Sequence, residues 1–162
     1  MDKQPWWRGP RGEWYVVIQF LLFGLLVFGP KTVAGFGYWG GAWASVSLVA
    51  GLLLGLVGGL FVLLGLIYLG RNVTAVPHPK ENATFVTAGP YQVVRHPIYC
   101  GIILAAIGYG LMWASLLTLF YALIIFLFFD SKTRREEKYL GLKFEAYAAY
   151  QQQVAKLIPF VY

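Results

Sequence analysis

Four runs without a charged side chain divide the chain: Trp14 to about Gly29, Ala44 to Leu69 within the uncharged stretch from Thr32 to Gly70, and two that share the uncharged span from Pro97 to Phe129. A helix that crosses a bilayer needs about 20 mostly apolar residues, within roughly 17 to 25. The pattern therefore predicts spans at about 14–30, 44–69, 98–113 and 115–130. The first run is short and can extend into Pro10–Glu13 or past Pro30. The last two, broken near Trp113-Ala114-Ser115, read as a tight helical hairpin or a partly re-entrant pair. One long tilted helix is the alternative, because Met112 to Ser115 holds no strong turn former.

The polar remainder is short except for "RNVTAVPHPKENATFVTAGPYQVVRHP", residues 71 to 97. Pro77, Pro79, Pro90 and Pro97 prevent one continuous helix there. Val73, Val76, Phe85, Val86, Tyr91, Val93 and Val94 need cover, so the connector is expected to be an ordered cap on one mouth of the bundle. In the tail, Leu140, Phe144, Tyr147, Val154 and Leu157 fall near helical spacing. This predicts a C-terminal amphipathic helix lying on anionic lipid and stopped by Pro159. Thr133 and Glu136 match a capping box, or the fourth span continues into this helix. The predicted fold is all-α: a polytopic transmembrane bundle forming one domain over 1–162.

Composition strengthens that picture. Hydrophobic residues make up 59% and charged residues 12%, against roughly 25% charged in a typical soluble domain. A net charge of +6 would suit nucleic acid only if the basic residues clustered on a soluble face, and here they lie between apolar runs. With four spans and the N-terminus inside, the cytoplasmic segments hold Lys3, Arg8, Arg11, Arg71, Lys80, Arg95, Lys132, Arg134, Arg135, Lys138, Lys143 and Lys156. Only Lys31 falls outside. The positive-inside rule thus places both termini in the cytoplasm. A cleaved signal peptide is the competing reading of residues 1 to 34, with Thr32-Val33-Ala34 as the small-residue site. Glycines at 51, 55, 58, 59 and 65 mark close helix packing, with Gly51 and Gly55 as a small-xxx-small pair. The lone Cys100 and the distant His78 and His96 make no metal ligand set.

Two features point to chemistry. Pro97 suits the first turn of a helix, which puts Arg95 and His96 at a helix N-terminus, a natural place for a carboxylate or phosphate. Gly101 would leave one face of that turn bare for a flat ligand. Interfacial anchoring by Arg, His and Tyr is the alternative use of these residues. Glu136-Glu137 stands amid Lys132, Arg134, Arg135 and Lys138. Those carboxylates either pair locally or receive the hydroxyls or ammonium of a ligand.

Taken together, "FVTAGPYQVVRHPIYCG" (85–101), "RREEKYL" (134–140) and "AYAAYQQQVAKLIPF" (146–160) resemble the integral-membrane methyltransferases typified by isoprenylcysteine carboxyl methyltransferase. The resemblance covers about the last 80 residues. It implies S-adenosylmethionine as methyl donor, with S-adenosylhomocysteine as product, bound at the cytoplasmic end without a Rossmann fold. No GxGxxG opens a helix after a strand here. By position, the resemblance implies a pocket lined by His96, Pro97, Tyr99 and Gly101, with Arg95 shaping it. Glu136 or Glu137 would hold the cofactor's polar end, with Glu137 slightly preferred, and Leu140, Tyr147 and Tyr150 would close the pocket as the tail folds over the connector. Glu137 and Arg95 are the catalytic candidates.

Two departures stand out: fewer spans than the eukaryotic members, and Gln153, Ala155 and Lys156 where relatives often carry a basic residue. The acceptor implied is lipophilic, either a small molecule or a lipidated peptide. Carboxyl O-methylation of an isoprenylcysteine-like thioether is the leading expectation. Rivals are a phospholipid-amine or small-thiol methyltransferase, and a non-catalytic scaffold or small transporter. The last would show internal repeats, and none is visible.

Overall fold

The computed structural model describes residues 11–33 and 37–162. Lys3 and Arg8, and the Ala34 end of the small-residue site, lie outside the described residues. The chain forms α1 (Glu13–Phe28), α2 (Ala42–Leu69), α3 (Pro97–Met112), α4 (Leu116–Lys143) and α5 (Tyr147–Gln153), with 3-10 turns at Gly70–Asn72 and Gly89–Gln92. Isolated β-bridges join Tyr38 with Ser115 and Val94 with Ala155. α2 together with the turn after it (Ala42–Asn72), and α4, are long and apolar enough to cross a membrane; α1 and α3 are shorter apolar helices. Their outer faces carry exposed Leu56, Leu63, Ile67, Phe20 and Leu127, an apolar surface suited to lipid rather than water.

α2 and α3 pack most extensively, and glycine is the reason. A Cβ on Gly51 would lie 2.5 Å from the Gly108 carbonyl oxygen, and one on Gly58 would lie 2.5 Å from that of Gly101. The working interval is therefore seven residues, from 51 to 58 and from 101 to 108. In the expected Gly51–Gly55 pair, a Cβ on Gly55 would meet nothing within 4 Å. Two straight helices in contact drift out of register after one turn and return near the same face after two.

Residues 97–143 form two helices, α3 and α4, joined by a tight turn whose chemistry the pattern did not reveal. Ala114 takes a positive φ of 46°. Ser115 is the α4 N-cap: its Oγ accepts from the Thr118 backbone N–H at 3.1 Å and from the Thr118 hydroxyl at 3.0 Å. It also donates to the Lys31 carbonyl at 2.5 Å. Lys31 in turn caps the C-terminus of α1, with Nζ donating to the Leu26 and Val27 carbonyls at 2.7 and 3.1 Å, where the helix dipole favours a cation. Ser115→Ala is expected to cost about 2 kcal/mol, because it removes a cap and strands buried partners. Thermal unfolding in detergent would show it as a lowered midpoint.

The tail departs from expectation. Thr133 is no N-cap. It lies buried within α4, and its hydroxyl donates to the Asp130 carbonyl at 2.8 Å. An Asp130–Arg134 ion pair one turn apart spans the point where the helix was expected to restart, so α4 runs on to Lys143. The amphipathic helix is also shorter than predicted. It ends at Gln153, not at Pro159, and Val154 is extended. The Arg95 N–H donates to the Ala155 carbonyl at 2.8 Å and the His96 N–H to that of Lys156 at 3.3 Å, pairing that needs an extended chain. Lys156 does not face lipid: it is 6% exposed, and its Nζ sits 2.5 Å from Asp130. Leu157 enters the core beside Ile125 and Phe129.

Candidate functional site

The strip from 85 to 101 is built from turns that only particular residues allow. Gly89 has φ +62°, a left-handed backbone conformation that favours glycine. The 3-10 turn it opens buries Tyr91, whose hydroxyl donates to the Gly65 carbonyl at 3.3 Å. The Tyr150 hydroxyl donates to the Tyr91 carbonyl at 2.5 Å, fixing α5 to this strip. Pro97 then starts α3 at its first position, as the sequence predicts, with His96 as the N-cap.

Glu137 is the hub that joins strip, α4 and tail. Its Oε1 receives Arg95 Nε at 2.8 Å and lies 3.1 Å from His96 Nε2, while Oε2 receives Gln151 Nε2 at 3.2 Å. Arg95 also donates to the Gln151 and Val154 carbonyls at 3.0 and 2.5 Å. The anion at the α3 N-terminus is thus the protein's own carboxylate. Glu136, turned about 100° around the helix by the 3.6-residue repeat, accepts from the Tyr99 hydroxyl at 2.9 Å. The Tyr99 ring stacks between His96, 5.7 Å away, and Phe129, 4.6 Å away.

Between these elements and the connector lies a cavity of about 240 Å³, near the lower end of small-molecule sites. Arg95, His96, Pro97, Tyr99, Glu136, Leu140, Tyr147 and Tyr150 all line it. Phe85 supports its outer wall, stacked on Phe144 at 5.3 Å and edge-on to Tyr150 at 5.5 Å. Of the residues expected at the site, Glu137 and Gly101 are not on the cavity wall. Glu137 is absorbed by Arg95 and His96. Gly101 does not offer a bare face to a ligand, because α2 fills it: a Cβ there would lie 2.4 Å from the Gly58 carbonyl oxygen.

Among the described residues one buried side-chain polar atom has no partner. The Tyr147 hydroxyl is buried and makes no hydrogen bond, an arrangement that is costly unless something else satisfies it. Burial, and then the Glu137 and Glu136 charges, hold the Tyr147 phenol protonated far above its ordinary range. It is a hydrogen-bond donor, not a base. Burial likewise pushes Tyr150 up to about 12.

Among the groups on the wall that sequence reasoning missed are Lys132 and Gln19. Both left a signal. Gln19 is the one side-chain amide in the run from Trp14 to Gly29, and intramembrane polar residues turn inward. Lys132 stands four residues before Glu136, on the same helix face.

The family model described as phospholipid methyltransferase matches residues 46–146. Over 91% of its length the chain is 32% identical to the cobalt-zinc-cadmium resistance protein CzcN of Cupriavidus metallidurans, covering 62% of that protein. It is 30% identical to a probable protein-S-isoprenylcysteine O-methyltransferase of Oryza sativa subsp. indica, over 68% of this chain and 60% of that protein. The chain thus spans about three fifths of the length of these curated relatives. Among solved structures, that of a eukaryotic intramembrane Ras methyltransferase, isoprenylcysteine carboxyl methyltransferase, superposes with a TM-score of 0.63. The match covers 99% of this chain and 55% of that one at 23% identity, and it establishes a shared fold.

Proposed function

Because the chain belongs to the phospholipid methyltransferase family, we propose that it is an S-adenosylmethionine-dependent methyltransferase acting on a lipophilic acceptor. Carboxyl O-methylation of an isoprenylcysteine-like thioether is the leading reaction. The observation that carries this reading is the cavity wall: the Glu136 carboxylate and the Tyr147 side chain among stacked aromatic rings. That donor set fits the cofactor. Glu136 would take an ammonium or ribose hydroxyls, Tyr147 would donate to an acceptor atom, and Phe85, Tyr99 and Leu140 would supply the apolar contact. When bound, the cofactor supplies an activated methyl group that needs no metal and no acid to leave.

The chain's own residues would then position and desolvate. Arg95, His96 and Glu137 tie the tail over the site and so shape it. A carboxylate acceptor needs no base. The grouping of Arg71, Lys80, Lys138 and Lys143 at the cavity end, with Lys31 at the far end of α1, supports a multi-pass chain whose site and termini face the cytoplasm.

Calorimetry with S-adenosylhomocysteine in lipid discs tests the reading. Wild-type protein is expected to bind saturably. Glu136→Gln and Tyr147→Phe, each still folded, are expected to bind about tenfold to a hundredfold more weakly, the usual cost of one buried polar partner. Absence of binding by folded wild-type protein would overturn the proposal. With labelled cofactor, a product label lost in base marks a methyl ester, whereas retention marks N- or S-methylation.

A further inference from the structure

Lys132 is a buried cation with too few partners. It is 1% exposed, yet it lines the cavity with Glu136 and Tyr99. Its Nζ donates to Gln19 Oε1 at 2.7 Å and lies 5.0 Å over the Tyr99 ring and 5.7 Å over Phe129. An ammonium carries three donors, and Gln19 takes one. Among the described residues no carboxylate forms an ion pair with it. The other buried lysine, Lys156, sits against Asp130 at 2.5 Å. Glu136, one helical turn on, attracts the ammonium without reaching ion-pair distance; burying an ammonium so weakly compensated is costly, so a lysine held this way at a cavity wall is suited to an anion that arrives with the ligand.

Position indicates which ligand. Lys132 lies one helical turn nearer the apolar half of α4 than Glu136, three residues beyond Phe129, and faces α1. α1 buries none of its own residues, so this end of the cavity adjoins the lipid-facing side of the bundle. Glu136, Leu140, Tyr147 and Tyr150 stand toward the tail. A lipophilic acceptor with its chain among the apolar helices would bring its polar head to the level of Lys132.

Resting on the methyltransferase reading above, we propose that Lys132, oriented by Gln19, binds the carboxylate of the acceptor and selects acidic acceptors over neutral ones of the same shape. The charge holds the substrate and releases the product, because a methyl ester no longer pairs with the ammonium.

The test compares N-acetyl-S-farnesylcysteine with its primary amide as ligands of the protein in neutral lipid discs. Wild-type protein is expected to prefer the acid by about tenfold or more, the effect of a hydrogen bond to a charged group. In Lys132→Met that preference should collapse, with S-adenosylhomocysteine affinity within about twofold of wild type; Lys132→Arg should keep most of the preference. Equal binding of acid and amide by wild-type protein would overturn the proposal, whether or not the methionine variant folds. So would a methionine variant that loses S-adenosylhomocysteine binding with the acid preference intact, since Lys132 would then serve the cofactor's own carboxylate. Failure of the methyltransferase reading itself appears separately, as wild-type protein that does not bind S-adenosylhomocysteine.

Discussion

Glu137→Ala is expected to destabilise the protein by about 3–5 kcal/mol, the cost of removing one partner from a buried ion pair. Arg95 and Glu137 are only 11% and 12% exposed, so solvent screening does little to soften the loss. Without the carboxylate, Arg95 keeps two tail carbonyls but loses its counter-charge, and Gln151 loses its acceptor. The segment from Tyr147 to Leu157 would loosen, and the cavity would lose the wall made by Tyr147 and Tyr150. A lowered unfolding midpoint together with weakened S-adenosylhomocysteine binding is the expected result. Glu136→Gln is the control: it keeps an oxygen to accept from Tyr99, removes only the charge, and should reduce binding with little change in the midpoint. Equal effects of the two changes on both measurements would contradict the division of labour between hub and cavity wall.

Gly101→Leu is expected to be as damaging, for a reason unrelated to ligand. The obstructing atoms are the Gly58 carbonyl oxygen at 2.4 Å and the Val62 backbone nitrogen at 2.8 Å. Backbone cannot rotate away as a side chain can, so α2 and α3 must separate along their length. Overpacking a tight interface costs about 1–3 kcal/mol or more, and leucine at a backbone contact belongs at the upper end. Gly101→Ala should already lower the unfolding midpoint. Gly59→Ala on α2, where a Cβ meets nothing within 4 Å, should be neutral or slightly stabilising. A Gly101→Ala protein with an unchanged midpoint and lost cofactor binding would restore Gly101 to the ligand site.

These two cases mark where sequence reasoning stopped. The spacing around Pro97 places Arg95, His96 and Tyr99 together at the start of α3, and all three line the cavity. The same spacing does not tell Glu136 from Glu137, since each is a carboxylate on one helix. Which faces the cavity depends on the rotation of α4 against α3, set by Phe129 on Tyr99 and by core packing at Ile125 and Leu157. Gly101 illustrates the same point from the other side: a bare helix face is bare for whatever reaches it first, and α2 does.

The apolar helices and their order could be read along the chain, whereas the end of α4 and the extent of α5 could not. Apolar runs too long and too uncharged for water leave the backbone no choice but to satisfy its own hydrogen bonds, and a proline can only open α3, not continue it. The cluster of Arg, His, Tyr and paired Glu was also readable, because chemistry-bearing residues are few in such a chain. The course of the tail, the partner of each carboxylate, and the meeting of Gln19 with Lys132 across 113 residues came from tertiary packing. Those depend on contacts between segments far apart in sequence. No local periodicity records them, and they are fixed only when the helices have packed.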